Sequence, residues 1–276
     1  MSLRLLLILG FALAGNTVAQ TENWTDPQDD VLYQAALPSG RRTAVYHIGI
    51  QGRMEGAGYR LSAVLESYPA HQAGLQRGDL LSAANGSAFN PATSFPDAAP
   101  VLLEFDRNGI TMAVSVVPVL ENLFDSYRTA LLNSAQQFNV GNKVVAYVRL
   151  WGLSRSTNDL VSLQRVLRQL SLSDGLVLDL RDCYGFAGPE HLAMFRGAGA
   201  LYTKPIALLI NERTRGQLPL LVAGLADLDR VITVGSAITG TNSSPQPEQP
   251  VSQPLDESQR SDPVYQAAVD VLLGVI

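Results

Sequence analysis

The sequence predicts a mostly β domain followed by an α/β domain whose sheet is mainly parallel. The chain has 276 residues, enough for one large domain or two smaller ones. Short apolar segments separated by turns fill residues 43–118, a pattern typical of strands and hairpins. After residue 144, short apolar segments alternate with amphipathic ones. This alternation indicates strand–helix units around a parallel sheet.

The first domain begins with two predicted strands, at residues 45–51 and 59–66. Two more strands, at residues 101–107 and 111–117, flank Asn108-Gly109. Because both residues of an Asn-Gly pair tolerate positive φ, this pair between apolar segments is a strong hairpin signal.

A helix is predicted over residues 120–138, where leucine and aromatic residues recur at near-helical spacing. We therefore assign residues 119–138 to a linker helix and residues 139–276 to the second domain. In that domain the predicted strands are 144–150, 175–180, 206–210 and 230–235, and the predicted helices are 158–170, 189–196, 218–226 and 263–276. Residues 241–262 hold four prolines among many Gln and Ser residues, which favours a low-complexity loop.

The composition excludes several classes of function. The net charge is −5, and the sequence has no cluster of Lys and Arg of the kind that binds nucleic acid. The three histidines are scattered and do not have metal-ligand spacing. Since the sequence also lacks a phosphate-binding glycine loop, we expect no nucleic acid, metal or cofactor.

The first 19 residues have the pattern of a signal peptide. Arg4 precedes an apolar segment at residues 5–14, and Thr17-Val18-Ala19 supplies the small residues of a cleavage site. Position 16 is Asn where a lipoprotein signal would need Cys. We therefore expect cleavage after Ala19, a lead-in segment at residues 20–42, and a periplasmic or extracellular protein without a stable membrane anchor. The alternative is an uncleaved N-terminal anchor.

Residues 68–81, followed by Ala84-Asn85-Gly86, resemble the core of bacterial PDZ domains. In such domains the backbone N–H groups of a loop bind the C-terminal carboxylate of a peptide, which then adds to the sheet as a strand. Three prolines within residues 89–100 oppose the second helix that usually walls the groove, so we expect a shallow or open groove. The resemblance implies a ligand-binding loop, or alternatively an ordinary strand, at His47, Ile48, Gly49 and Ile50.

The second domain resembles the tail-specific (C-terminal processing) proteases. Residues 178–185 resemble the Asp-Leu-Arg-Asn-Asn-Pro-Gly-Gly segment of that family, and residues 208–212 and 221–225 resemble the strand and helix around its nucleophile. Asp262-Pro263 before a final amphipathic helix resembles the end of the family's domain. The resemblance implies a crotonase/ClpP-like spiral fold after the PDZ-like domain.

The serine–lysine dyad of this family is missing. Gly216 aligns with the serine, or Gln217 if the loop is one residue longer, and Thr241 aligns with the lysine. No lysine follows Lys204, and a serine hydroxyl would need an adjacent base. Gly185 keeps a backbone N–H of the oxyanion-stabilising kind. The resemblance therefore implies a pseudopeptidase that binds protein or peptide C-termini, or a partner protease.

Two alternatives stay open at this point. One is a working hydrolase with a rearranged site, built on Thr214 or on Cys183 with His191. The other is a carrier of a small ligand, which an apolar pocket near Gly185 and Gly216 would favour. We interpret Asp179 and Arg181 as a structural ion pair or as loop anchors, rather than as an acid and a base.

Overall fold

The computed structural model describes residues 44–238, 246–251 and 262–276. The predicted signal peptide, the lead-in segment, Thr241 and much of the proline-rich segment lie outside these residues. Among the described helices, none is long and apolar enough to cross a membrane.

The first unit is an antiparallel sheet with the strand order β2-β3-β4-β6-β7, in which the short β5 pairs with β4. The predicted strand at 45–51 is interrupted at Ile48 and Gly49, because Gly49 has a φ of 77° and turns the chain. The elements are β1 (Ala44–His47), β2 (Ile50–Glu55), β3 (Gly58–Val64), α1 (Pro69–Gln72), β4 (Leu80–Ala84), β5 (Ser87–Ala88), β6 (Val101–Arg107) and β7 (Ile110–Val116).

The hairpin predicted between β6 and β7 is confirmed. Asn108 and Gly109 have φ values of 56° and 80°, which is the backbone conformation of a two-residue primed turn. Arg107, at the end of β6, donates two hydrogen bonds to the buried carboxylate of Asp79, from Nε to Oδ1 at 2.7 Å and from Nη2 to Oδ2 at 2.8 Å. These bonds fix the Gly78-Asp79 turn of the PDZ-like motif to the hairpin.

No helix follows the Asn85-Gly86 turn within residues 87–100, all of which are described. Phe89 and Phe95 fill this side of the core instead, with ring centroids 5.9 Å apart. The expectation that the prolines prevent a long second helix is therefore confirmed.

The predicted linker helix is wrong at both ends. Strand β8 (Val119–Asn122) pairs antiparallel with β1, and helix α2 covers only Leu123–Ser134. The Asn122 side chain begins the helix, since its Oδ1 accepts the Phe124 N–H at 3.0 Å. Strand β9 (Gln136–Val140) then joins the edge of the second sheet. Strand pairing at both ends overrides the helical spacing.

The second unit has a six-stranded sheet with the order β16-β15-β14-β12-β10-β9, parallel except for β9. Its predicted strands and helices are confirmed to within a few residues, and Gln249–Pro250 form a strand where a loop was expected. The elements are β10 (Lys143–Arg149), β11 (Gly152–Leu153), α3 (Thr157–Leu170), β12 (Gly175–Asp179), β13 (Tyr184–Gly185), α4 (Pro189–Ala193), β14 (Ile206–Ile210), α5 (Leu218–Ala226), β15 (Val231–Gly235), β16 (Gln249–Pro250) and α6 (Pro263–Leu273).

The two units share a buried apolar cluster. Leu65 and Tyr68 of the first unit pack with Tyr127 of α2 and with Trp151 and Tyr184 of the second unit. The Trp151 indole Nε1 donates to Glu66 Oε2 at 2.8 Å. This interface places the predicted peptide-binding loop and the protease-like loops on one contiguous framework.

Candidate functional site

The positions predicted for the nucleophile and for the oxyanion donor lie side by side. Gly185 ends β13, and Gly216 precedes α5. The Gln217 N–H donates to the Gly185 carbonyl at 2.9 Å, and the Arg215 N–H donates to the Cys183 carbonyl at 3.0 Å. These two bonds join two segments that resemble separate parts of the protease motif. Thr241, the predicted lysine position, lies outside the described residues.

Neither glycine has room for a side chain. A Cβ at Gly216 would lie 2.7 Å from the Gly185 oxygen and 3.0 Å from its nitrogen, and Gly216 has a φ of 71°. A Cβ at Gly185 would lie 2.0 Å from the Leu153 oxygen. The backbone of Gly185 therefore occupies the space that a nucleophilic side chain at residue 216 would need.

Thr214, the nearest hydroxyl in the sequence, is fully buried. Its Oγ1 donates to the Leu180 carbonyl at 2.9 Å and accepts the Asn211 N–H at 3.2 Å. The first bond holds the loop after β14 against the end of β12, and the second closes the loop on itself. Thr214 is thus a structural hydroxyl of this loop and is not presented to a substrate.

Cys183 is also fully buried, and burial raises the pKa of its thiol well above the usual range. A thiol in this state does not supply the thiolate that attacks a carbonyl. His191 is buried as well, and burial lowers the pKa of its imidazole although Glu190 opposes the shift. Its Nδ1 accepts the Gly188 N–H at 3.1 Å, which makes His191 part of the turn before α4.

A buried ionic cluster follows the carboxyl end of β12. The Arg181 guanidinium donates to Asp179 at 2.9 Å from Nε and 2.6 Å from Nη2, and its Nη1 reaches Asp262 at 2.8 Å. Burial alone would raise the pKa of the Asp179 carboxyl, but the charges of Arg181 and Arg149 outweigh burial and hold that pKa at about 2. Asp262 also begins α6 by accepting the Tyr265 N–H at 2.9 Å. The interpretation of Asp179 and Arg181 as a structural ion pair is confirmed.

The predicted peptide-binding loop borders an apolar pocket. Sequence reasoning named the loop residues but missed the other side of the pocket, because those residues come from distant parts of the chain. Neither Gly185 nor Gly216 contributes to this pocket. The lining residues are His47, Ile48, Gly49, Ile50, Leu65, Pro91, Phe95, Leu123 and Tyr127.

A hydrogen-bonded network lies behind this loop. The Gly49 N–H donates to His47 Nδ1 at 3.1 Å, so this amide is directed at the imidazole. His47 Nε2 is 2.9 Å from the Ser126 hydroxyl, which donates to Glu121 Oε2 at 2.8 Å. The Tyr68 hydroxyl donates to the same carboxylate oxygen at 2.7 Å. No sequence motif indicated that residues 47 and 126 would meet.

Ser126 and His47 have the composition of a nucleophile–base pair, but their protons are placed the wrong way. Because Nδ1 accepts from Gly49, the neutral imidazole carries its proton on Nε2 and donates it to Ser126. A general base must instead accept the serine proton. Burial lowers the pKa of His47 to about 4, although Glu121 opposes the shift, so the imidazole is neutral near pH 7. The pair therefore braces the loop and does not form a catalytic dyad.

The described residues contain no group of three or more His, Cys, Asp or Glu side chains that could hold a metal ion.

The chain has the fold of the S41-type C-terminal processing proteases. It is similar to a putative S41 protease from Bacteroides fragilis, with 14% identity, coverage of 85% of this chain and 83% of that one, and a TM-score of 0.59. A photosystem II D1 C-terminal processing protease matches with 14% identity, coverage of 82% and 76%, and a TM-score of 0.50. The HtrA3 PDZ domain bound to a phage-derived ligand is 24% identical over 29% of this chain and 93% of that domain, with a TM-score of 0.25. No protein-family model and no curated protein matches the chain.

Proposed function

We propose that the protein is an exported pseudopeptidase, a chain that keeps the protease fold but binds proteins without cleaving them. The observation that carries this proposal is the packing of Gly216 against Gly185, which leaves no space for a nucleophilic side chain. The sequence also has no lysine after Lys204. Export rests on the signal-peptide pattern of residues 1–19, and the crotonase/ClpP-like assignment rests on the family resemblance.

The burial of the substitute groups supports the proposal over a rearranged hydrolase. Thr214 and Cys183 are both inaccessible, and both would need a base that faces them. An oxyanion-type N–H alone leaves about 10³- to 10⁴-fold acceleration over water in a triad protease that has lost its triad. Because uncatalysed hydrolysis of a peptide bond is very slow, such a residual acceleration would not produce detectable cleavage.

Turnover of unfolded casein and of a tail-tagged substrate by the mature protein tests this proposal. We expect no cleavage above that of a Thr214→Ala, Cys183→Ala double variant, which controls for contaminating proteases. Cleavage by the natural sequence that is lost in the double variant would support the rearranged hydrolase instead. Cleavage lost in a Ser126→Ala variant would contradict the proton placement given above for His47.

Binding would occur at the PDZ-like unit. Strand β2 is at the end of its sheet in the described part of the chain, so an extended peptide could add to it. Two features weaken this site. The Gly49 N–H is directed at His47, and Arg213 Nη2 lies 3.4 Å from the Gly52 carbonyl of β2.

We therefore propose weak recognition of free C-terminal carboxylates, with the apolar pocket beside Gly49 taking the last side chain. Titration of fluorescent peptides with apolar C-termini, as free acids and as C-terminal amides, measures this. We expect weaker binding of the amides. Equal binding of both forms would show that residues 47–50 are not a carboxylate site.

A further inference from the structure

Among the described residues, strand β7 is the other end of the first sheet. Its sequence and its pairing lack the features that normally prevent strand edges from pairing. Its sequence, Ile-Thr-Met-Ala-Val-Ser-Val, has no charged residue and no proline. Its pairing with β6 is regular from Val101–Val116 to Arg107–Ile110, without a bulge. Natural proteins usually protect such an edge with charges, prolines or bulges.

The opposite edge of the same sheet has this protection. Strand β2 contains Arg53 and Glu55, and its register shifts between Gln51 and Gly52. The contrast within one sheet shows that the unprotected state is specific to β7. Ile110 and Met112 at this edge are 65% and 41% exposed, which are high values for large apolar side chains beside a core.

The hairpin geometry fixes which backbone groups of β7 face outward. A two-residue primed turn closes on a hydrogen-bonded pair, here Arg107 and Ile110. Since the pattern alternates along an antiparallel ladder, residues 112, 114 and 116 also bond to β6. The N–H and C=O groups of Thr111, Ala113 and Ser115 therefore point to the open edge.

We propose that two copies of this chain pair antiparallel through β7, about a two-fold axis at Ala113. In this register Ile110 faces Val116 of the second copy, Met112 faces Val114, and Thr111 faces Ser115. Apolar residues meet apolar residues on the face that contacts the core, and small residues meet on the other face. The three outward-facing residues of each copy exchange main-chain hydrogen bonds, and the two sheets become one.

Other pairing registers of the two β7 strands would form fewer main-chain hydrogen bonds. An axis at Thr111 places β7 opposite the turn residues Asn108 and Gly109, and an axis at Ser115 places it opposite Pro118, which has no N–H. Because a strand edge is small beside standard interfaces of about 1,600 Å², the dimer forms in a concentration-dependent way.

Disulfide trapping tests the register directly. Two Cys residues at position 113 would have Cα atoms about 5.5 Å apart, as in a hydrogen-bonded pair, which lies within the range for a disulfide. The matched control is Leu102→Cys, which is also exposed and lies on β6. In the proposed dimer two copies of residue 102 are separated by three strand spacings and by four residues along the strands, which together give about 20 Å. The natural Cys183 is buried and does not interfere.

Mature Ala113→Cys is expected to form a covalent dimer under mild oxidation, and Leu102→Cys is expected to remain monomeric. Sedimentation of the natural sequence from micromolar to submillimolar concentration should show reversible dimerisation. Ala113→Pro, which removes only an outward N–H, should abolish it, while Ala113→Thr should retain it. A natural protein that stays monomeric throughout, or equal cross-linking of the two cysteine variants, would overturn the proposal. The cysteine pair decides the question even if the proline variant misfolds.

Discussion

The tight contact between Gly216 and Gly185 leads to a measurable prediction about stability. We consider alanine at Gly216 and, as a matched control, alanine at Gly197. The two glycines have similar backbone conformations, with φ values of 71° and 78°. They differ in their surroundings, because a Cβ at Gly197 would meet nothing within 4 Å, whereas at Gly216 it would lie 2.7 Å from the Gly185 oxygen.

The expected losses of stability follow from the backbone conformation of each glycine and from the space around its Cβ. A left-handed backbone costs an L-residue about 1–2 kcal/mol, and both variants incur this cost. Only Gly216→Ala adds an overlap with backbone atoms, and forcing an atom into a filled space costs about 1–3 kcal/mol. We therefore expect Gly197→Ala to lower the free energy of unfolding by about 1–2 kcal/mol and Gly216→Ala by about 2–5 kcal/mol.

Urea unfolding followed by tryptophan fluorescence measures the difference, since Trp151 is buried at the interface of the two units. The comparison uses midpoints at equal slopes. Equal destabilisation by the two variants would refute the contact and, with it, the argument that residue 216 has no room for a nucleophile. For the same reason, Gly216→Ser combined with Thr241→Lys should not gain peptidase activity.

Two further predictions concern buried charges. The pKa of His47 drops from 6.5 to about 4 on folding. The stability that comes from the neutral imidazole is therefore fully present above pH 6.5 and is lost as the pH falls towards 4. The free energy of unfolding of His47→Gln should lack about 3 kcal/mol of the natural protein's pH dependence in that window, and an unchanged pH dependence would contradict the neutral imidazole. Asp179→Asn leaves the buried Arg181 without its main partner and should lower the free energy of unfolding by about 3–5 kcal/mol, whereas Asp125→Asn, at a half-buried helical ion pair with Arg128, should cost less than about 1 kcal/mol in the same urea titration.

Local signals predicted most elements because the local and the tertiary preferences agree. The strand at Ile206–Ile210 and the helix at Leu218–Ala226 appear at the predicted residues, since the core buries the whole strand and the face of the helix that carries Leu218, Leu221, Val222 and Leu225. The hairpin at Asn108-Gly109 is likewise determined by its turn residues. The region from 119 to 140 could not be predicted in this way. Its first strand depends on pairing with β1, a segment more than 70 residues earlier in the chain.

The candidate site shows the same division. Alignment to a family motif found Gly185 and Gly216, and the structure places them in contact. The pocket and the His47–Ser126 contact were missed, because they join residues 79 positions apart that carry no shared motif. Proton placement on His47 required the Gly49 N–H bond, which depends on the positive φ at Gly49. A sequence pattern does not specify such a bond.

Several residues that this chain shares with the protease motif make contacts that stabilise the described fold. Asp179 and Arg181 neutralise each other in the interior and reach Asp262, where α6 begins. Gly185 allows β13 to lie against Leu153. Gly216 is the position that the family resemblance aligns with the nucleophile, and the backbone of Gly185 fills the space beside it. The ionic cluster and the glycine contact join parts of this fold without using a nucleophilic side chain. The proposed binding without cleavage therefore needs only this scaffold and the apolar pocket beside Gly49.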